Sequence, residues 1–240
     1  MDNPYQAPVA SSAPPPLPAT GDFRDARQLT LLSRIFLWLG IGMSALAIIF
    51  SLQQQRIFAQ AAENGMSVDD AYIEVGLLTL LAPLLQLVVL IATYVVNGIW
   101  IHRAAWNARA LVGQRHMEFT PRWTVGWYFI PFANLVKPYQ AMKDVWIRSF
   151  GGATATSAPG TELLILWWWL WLLFNLASNI AGRMSWRATT LEQEVDALTV
   201  SIVSDALNIP LSLAFLAIVT RLYRMQAERH ASASANSILP

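Results

Sequence analysis

The chain contains no cysteine and few charged residues. The first absence excludes disulfide bonds and thiolate metal sites. Charged side chains make up 13% of the sequence, against ~25% in ordinary globular domains, and 55% of the residues are hydrophobic. This composition is typical of an integral membrane protein rather than of a soluble domain.

The sequence also lacks the short motifs that mark common catalytic and cofactor sites. It contains no H-E-x-x-H, no G-x-S-x-G and no G-x-x-x-x-G-K-S/T. The three histidines, His102, His116 and His230, share no metal-binding spacing. A lipid-modifying site could still be assembled from scattered Asp, Asn and Arg side chains. We nevertheless expect no enzymatic activity, no catalytic residue, no metal or other cofactor, and no nucleic-acid partner.

Four stretches with little or no charge are long enough to cross a membrane. They cover about 35–55, 75–101, 163–182 and 197–220, and only the last contains an acidic residue, Asp205. A spanning helix needs ~20 predominantly apolar residues. We therefore predict an all-α fold, an integral membrane four-helix bundle with its membrane domain at 29–229. A Pro-rich cytoplasmic tail at 1–28 and a second tail at 230–240 are predicted to be disordered.

The second of these stretches is predicted to belong to one long helix. Ser67, followed by Asp69 and Asp70, is an N-terminal capping signal. Gly113 is the first convincing stop signal after it. Pro83 lies inside this helix, and we expect it either to kink the helix or to be tolerated through neighbouring helices and side chains.

A central segment at 121–150, between the second and third spans, is rich in Pro and Trp. Its uncharged part, 123–136, is too short to span a bilayer, so we predict that it is re-entrant or interfacial on the cytoplasmic side. Pro138 is a favourable first residue for a following helix. Apolar residues then recur at helical spacing, at Tyr139, Met142, Trp146 and Phe150. Polar residues occupy the opposite face, as in an interfacial helix, at Gln140, Lys143, Asp144 and Arg148.

Four sequence patterns in and before this segment carry a resemblance to a known family. W-x-x-R-x-x-W-N begins at Trp100, P-x-W-x-V-G-W at Pro121, F-I-P-x-x-N-L at Phe129 and P-Y-Q-A-M at Pro138. Together they resemble a bacterial multi-pass membrane family known only as domain of unknown function 4328 (DUF4328). The resemblance implies a membrane location and a layout of several helices. It implies no activity, substrate or catalytic residue.

Positive charge is distributed unevenly between the segments that connect the spans. Of the 16 Lys and Arg residues, only Arg56, Arg183 and Arg187 lie in the first and third connections, beside several acidic residues. Cytoplasmic segments of membrane proteins are enriched in Lys and Arg. We therefore predict that both termini and the central segment face the cytoplasm, in the bacterial inner membrane, and that the two acidic connections face outward.

Tryptophan follows the same asymmetry, since only Trp186 of the 11 Trp residues is placed on the outer side. One interpretation is an aromatic belt at headgroup level. The other is a cytoplasmic platform that binds anionic lipid headgroups or a protein partner, each cation near an anionic surface contributing ~1 kcal/mol. The candidate platform residues are Trp100, Arg103, Trp106, Asn107, Arg109, Pro121, Trp123, Gly126, Trp127, Pro131, Asn134, Lys137, Pro138, Tyr139, Gln140 and Trp146.

Asp205 lies inside the fourth predicted span. An aspartate at a helix centre costs at least ~2.5 kcal/mol on insertion scales, so we expect its side chain to face the bundle and to have hydrogen-bonding partners. Ser201 and Asn208, four residues before Asp205 and three after it, lie on the same helix face. Counting residues inward from the helix ends places Asn175 and Asn179 at similar depth and Gln86 somewhat deeper. These five side chains and Asp205 form a candidate intramembrane polar cluster. The cluster is interpreted as polar glue between helices or as an ion or proton path.

Two functions follow from these observations. The favoured one is a non-enzymatic membrane protein that binds a partner or anionic lipid at its cytoplasmic face, as a subunit or scaffold. The alternative is a small transporter or channel component that uses Asp205.

Overall fold

The computed structural model describes residues 22–236. Within that range the chain is helical and contains no strand, which confirms the predicted all-α fold. The helices are α1 (Arg27–Glu63), α2 (Val68–Val75), α3 (Leu77–Val112), α4 (Trp123–Gly126), α5 (Lys137–Gly151), α6 (Thr161–Arg187) and α7 (Leu191–Asn236). Short 3-10 turns lie at Gln114–His116, Trp127–Phe129 and Ala133–Leu135.

Four of these helices, α1, α3, α6 and α7, are long and apolar enough to cross a membrane. The four predicted stretches fall within them, except for the first residues of the second stretch. The short helices α4 and α5 fall within the central segment. Among the described residues, the protein is thus an all-α bundle with four candidate membrane spans, as its sequence predicts.

Helix α7 is the element on which the bundle is assembled. It packs along both α1 and α6, while α3 packs along α1. Helices α3 and α6 are not a closely packed pair, so a cleft separates them. The main hydrophobic core lies at one end of the bundle, where α5 contacts α3, α6 and α7. That end, which contains residues 100–160, is named the motif end, and the opposite end, which contains α2, is named the loop end.

The predicted long helix from Ser67 to Gly113 is interrupted, which corrects that prediction. Ser67 does act as a cap, because its side chain accepts a hydrogen bond from the backbone N–H of Asp70. However, Gly76 has a φ of 78°, a conformation that suits glycine and ends α2 before α3 begins. The predicted stop holds, since Gly113 with a φ of 84° terminates α3. Pro83 lies inside an unbroken α3.

Helix α5 begins within one residue of its predicted start, with Pro138 in its first turn. Its apolar face is covered by protein, because Met142 and Trp146 belong to the main core. Asp144, placed on the polar face by the sequence, is also buried and accepts a hydrogen bond of 2.8 Å from the backbone N–H of Glu118. The helix therefore packs against its own bundle on a face that the sequence assigned to the membrane interface.

The structure also differs from the predicted tails at both ends. Residues 1–21 and 237–240 lie outside the described residues. Residues 22–26 pack against α3, and α1 begins at Arg27, although the sequence placed 1–28 in a disordered tail. Helix α7 continues through Asn236, past the predicted boundary at residue 230.

Candidate functional site

The pattern W-x-x-R-x-x-W-N holds the segment that precedes α1 against α3. Asn107 is fully buried, and its amide makes two hydrogen bonds with the backbone of Arg24. The side-chain Oδ1 accepts from the N–H of Arg24 at 3.0 Å, and the side-chain Nδ2 donates to the C=O of Arg24 at 2.8 Å. Trp106 Nε1 donates to the C=O of Asp22 at 2.8 Å. Asn107 and Trp106 therefore hold a segment of their own chain against α3.

Arg103 of the same pattern and two arginines outside it, Arg24 and Arg109, also make contacts here. Arg103 donates a hydrogen bond of 3.2 Å to the backbone C=O of Asp25. The guanidinium groups of Arg24 and Arg109 lie 4.4 Å and 5.6 Å from the ring centroid of Trp106. Cation–π contacts of this kind favour one fixed ring position. Residues 22–26 and α3 are thereby joined by hydrogen bonds between α3 side chains and the backbone of residues 22–26, and by the cation–π contact of Arg24 with Trp106.

Two buried tryptophans form the centre of the motif end. Trp100 and Trp146 are each 1% exposed. Trp100 Nε1 donates to Thr30 Oγ1 at 3.0 Å, and Trp146 Nε1 donates to the C=O of Pro159 at 3.0 Å. Both indole N–H groups are thus satisfied inside the protein, as buried tryptophans require. These residues are structural anchors rather than a surface that a partner could contact.

The central segment bridges the gap between α3 and α6 at the motif end. Tyr128 makes edge-on contacts with the rings of Trp168 and Trp171 on α6. Trp168 Nε1 also donates to the backbone C=O of Leu135 at 3.1 Å. On the other side, Val125 lies close to Gly98 of α3. The segment therefore covers the end of the cleft between the two helices.

The turn of the central segment carries exposed aromatic side chains. Phe129 is 81% exposed and Phe132 is 86% exposed, and Trp123 is also exposed. Phe132 has a φ of 62°, a left-handed conformation that is uncommon for a bulky residue. Two cations, Arg122 and Lys137, flank the turn in the sequence, and Arg122 is exposed. We name these five side chains the aromatic tip.

The structure separates the predicted platform into three groups. The buried members are Trp100, Asn107, Pro121, Pro138 and Trp146. The half-buried members are Arg103, Trp106, Arg109, Gly126, Trp127, Asn134, Lys137, Tyr139 and Gln140. The exposed members are Trp123 and Pro131. The sixteen residues therefore do not form one continuous surface.

The intramembrane polar cluster joins three helices through Asp205 on α7. Its Oδ1 accepts hydrogen bonds from Gln86 Nε2 at 2.8 Å and from Ser44 Oγ at 3.2 Å. Asn208 Nδ2 donates to the same Ser44 Oγ at 2.9 Å. Gln86 and Asn208 were predicted for this cluster, whereas Ser44 on α1 was not. A single serine in an apolar helix is too common to have been selected from the sequence.

The other predicted members of the cluster make no hydrogen bond to Asp205. Asn175 donates to the backbone C=O of Trp171, and Asn179 donates to that of Asn175, so both are hydrogen-bonded within α6. Ser201 and Asn175 nevertheless line the same cavity as Asp205. Asn179 lies outside the lining of that cavity.

A cavity of about 780 Å³ occupies the cleft between α3 and α6. Side chains of all four long helices line it, and Val125, Tyr128 and Phe129 of the central segment line it as well. Among residues 22–236, no group of three or more His, Cys, Asp or Glu side chains is placed to hold a metal ion. The arrangement provides a partly open, largely apolar space with a few fixed polar groups.

Comparison with known proteins identifies the family. The model of the family described as "Domain of unknown function (DUF4328)" matches residues 64–224, which include α3, the central segment, α6 and most of α7. The chain belongs to this family. A comparison with curated proteins and a comparison with solved structures each found no match. DUF4328 membership confirms the resemblance carried by the four motifs and assigns no activity to either candidate site.

Proposed function

We propose that this protein is a non-enzymatic protein of the bacterial inner membrane that binds anionic lipids through its cytoplasmic face. The observation that carries the proposal is the aromatic tip, where Phe129 and Phe132 are exposed on a turn that Arg122 and Lys137 flank in the sequence. Aromatic side chains favour the headgroup level of a bilayer. Each neighbouring cation adds ~1 kcal/mol of attraction to an anionic surface.

The motif end supports a lipid ligand more than a protein partner. Trp100, Asn107 and Trp146, which a docking surface would need to expose, are enclosed by the chain itself. Of the predicted platform residues, the two that remain exposed, Trp123 and Pro131, lie in the short central segment. A lipid headgroup requires only such a small contact, whereas stable protein interfaces bury about 800 Å² on each partner.

Native mass spectrometry of the detergent-purified protein tests this proposal. We expect the protein to retain phosphatidylglycerol in preference to phosphatidylcholine with the same acyl chains. The double variant Arg122→Gln/Lys137→Gln should lose this preference, because it removes both cations of the aromatic tip. The matched control is Arg183→Gln/Arg187→Gln at the loop end. Equal retention of the two lipids by the unmodified protein would contradict the proposal.

The orientation belongs to the same proposal. The uneven distribution of Lys and Arg supports a cytoplasmic motif end and an outward loop end. Since the chain contains no cysteine, single cysteines can be introduced and labelled with a membrane-impermeant reagent. Asn64→Cys and Thr190→Cys should be labelled in intact cells, whereas Arg115→Cys should be labelled only after the membrane is permeabilised. Labelling of Arg115→Cys in intact cells would show that the orientation is opposite to the one proposed.

A second candidate function is favoured by Asp205, which lies on a cavity between candidate membrane helices. Intramembrane carboxyl groups in such positions often serve ion or proton transport. In this reading the protein is a small transporter or channel component. Proteoliposomes should then show flux of protons or a common cation that Asp205→Asn abolishes. Absence of flux from the unmodified protein under every gradient would reject this candidate.

A further inference from the structure

The charge inside the cavity between α3 and α6 is unbalanced. Among the described residues that line the cavity, Asp205 is the one acidic side chain and no side chain is basic. Asp205 is 9% exposed, and only its Oδ1 accepts hydrogen bonds from described residues. The second carboxyl oxygen, Oδ2, is therefore available to a ligand. A buried carboxylate without a cationic partner is unfavourable, and either a proton or a cationic ligand removes this cost.

A second polar group in the cavity lacks a partner. Asn97 lines the cavity and is 8% exposed, and its Oδ1 is buried without a hydrogen bond from any described group. Buried acceptors of this kind are rare in folded proteins. Asn97 follows Gln86 by three turns of α3, which corresponds to roughly 16 Å along the helix axis. The cavity thus offers a free acceptor near each end of its length.

Aromatic rings line the same cavity. The rings belong to Tyr94, Tyr128, Phe129, Trp167, Trp171, Phe174 and Phe215. The face of an aromatic ring attracts a cation, most strongly where water is excluded. A volume of about 780 Å³ also lies within the ~300–1,000 Å³ range of small-molecule sites. A metal ion would need a compact set of oxygen ligands, which this wide and mainly apolar space does not supply.

We propose that the cavity binds a lipophilic monovalent organic cation, with the Asp205 carboxylate as its counter-ion. The class comprises protonated amines and quaternary ammonium or phosphonium ions that carry apolar groups. Such molecules dissolve in the bilayer, and the gap between α3 and α6 gives access from that side. The site shares Phe129 with the aromatic tip, but Asp205 and Asn97 lie outside the tip, so this proposal does not depend on lipid binding there.

A pair of ions with the same shape and opposite charge provides the test. Tetraphenylphosphonium and tetraphenylborate differ in the sign of their charge and hardly in size. Equilibrium dialysis of the detergent-purified full chain measures the binding of each ion. We expect saturable binding of tetraphenylphosphonium and none of tetraphenylborate.

Two variants assign the binding to the cavity. Asp205→Asn should weaken tetraphenylphosphonium binding by at least about tenfold, because the desolvated counter-charge is lost. Its control, Asp196→Asn, makes the same change at an exposed position of α7. Gly40→Phe keeps the carboxylate and introduces a bulky ring at the cavity lining, where a Cβ at Gly40 meets no atom within 4 Å. Its control is Gly42→Phe, also unobstructed but exposed on another face of α1.

Each outcome decides the proposal. Loss of binding in Asp205→Asn and in Gly40→Phe, with binding retained in both controls and unchanged melting temperatures, supports it. Equal binding of the two ions would show an apolar cavity without a counter-ion and would overturn it. Absence of saturable tetraphenylphosphonium binding, or full binding by Asp205→Asn or Gly40→Phe, would overturn it as well. If Asp205→Asn has a lowered melting temperature, the proposal is decided by comparing tetraphenylphosphonium binding in Gly40→Phe and in Gly42→Phe.

Discussion

Along α3, the residues before Gly98 face mainly outward, whereas those after it are packed inside the protein. Leu84, Leu87, Val88, Ile91 and Val95 are at least half exposed in the first part. Buried residues dominate the second part, namely Trp100, Ile101, Ala104, Ala105, Asn107, Ala108, Leu111 and Val112. One helix therefore contains two different environments. The pattern W-x-x-R-x-x-W-N begins at Trp100, where the second environment starts.

The difference reflects the two solvents around the protein. Lipid tails are as apolar as leucine, so a membrane helix gains little from burying such side chains against its neighbours. Outside the hydrocarbon region, exposed apolar side chains are unfavourable and must be packed. The first part of α3 therefore leaves space for a cleft, and the second part forms a dense core with α5 and α7. We infer that the residues from Trp100 onward build the end of the bundle that lies outside the hydrocarbon region.

The comparison can be tested most strongly at Trp100. Trp100→Ala should lower the free energy of unfolding by about 3–5 kcal/mol, because it removes a buried indole and leaves a cavity. Leu87→Ala, on the exposed part of the same helix, should change it by less than about 1 kcal/mol. Thermal melting of both variants in detergent measures the difference. Equal losses would mean that the two parts of α3 do not differ in packing.

Asn107→Ala tests the contact between the motif and residues 22–26. The variant leaves both backbone groups of Arg24 without their buried partner, which should cost about 1–3 kcal/mol. Amide exchange at Arg24 should accelerate, whereas exchange in α6 should not. Asn179→Ala is the control, because Asn179 bonds only within its own helix. Unchanged protection of Arg24 would show that Asn107 does not hold this segment.

A smaller effect on stability is expected at Asp205, which lines the cavity in the cleft between α3 and α6. Asparagine keeps an acceptor for Gln86 and Ser44, and hydrogen bonds between membrane helices average only ~0.6 kcal/mol. Asp205→Asn should therefore shift the unfolding free energy by less than about 1 kcal/mol. Asp205→Leu, which removes the acceptor, should shift it further. A large loss in Asp205→Asn would indicate that the charge itself stabilises the fold.

The smallest effect concerns a second packed group at the loop end, where Tyr72 contacts Phe58. Burial, followed by the hydrogen bond and charge of Glu194, raises the pKa of Tyr72 from 10.0 to about 12. The folded state therefore keeps a proton that the unfolded state loses above pH 10.0, and stability should fall as pH rises from 10.0 to about 12. Melting curves across this range should show a shallower decline for Tyr72→Phe. An identical decline in the unmodified protein and in Tyr72→Phe would contradict the assignment of this pH dependence to Tyr72.

Several features of the fold followed from local sequence signals. Stretches with little charge located the four long helices, and Gly113 and Pro138 marked a helix end and a helix start. Gly76 was missed because a lone glycine inside an apolar stretch is also compatible with a continuous helix. Asp144 was assigned to the polar face of an interfacial helix but is buried. Helical spacing defines the faces of a helix and does not predict which of them a neighbouring segment covers.

The candidate sites were less accessible from the sequence. Depth counting brought Gln86 to Asp205 and helical spacing brought Asn208, but neither could select Ser44, since rotation of α1 about its axis depends on packing against α7. The uneven distribution of Trp and of cations grouped Trp100, Asn107 and Trp146 with exposed residues. Their spacing carries no information on burial by residues 22–26 or by Pro159.

The sequence by itself determined the all-α membrane class, the number of long helices and the family, because each depends on composition, run length or short motifs. Only the tertiary structure decided that Trp100, Asn107 and Trp146 are internal and that α3 stands apart from α6. Both are consequences of contacts between residues far apart in the chain, such as Asn107 with Arg24 and Asp205 with Gln86. Local patterns restrict such contacts without specifying them, since many helix rotations bury the same apolar residues.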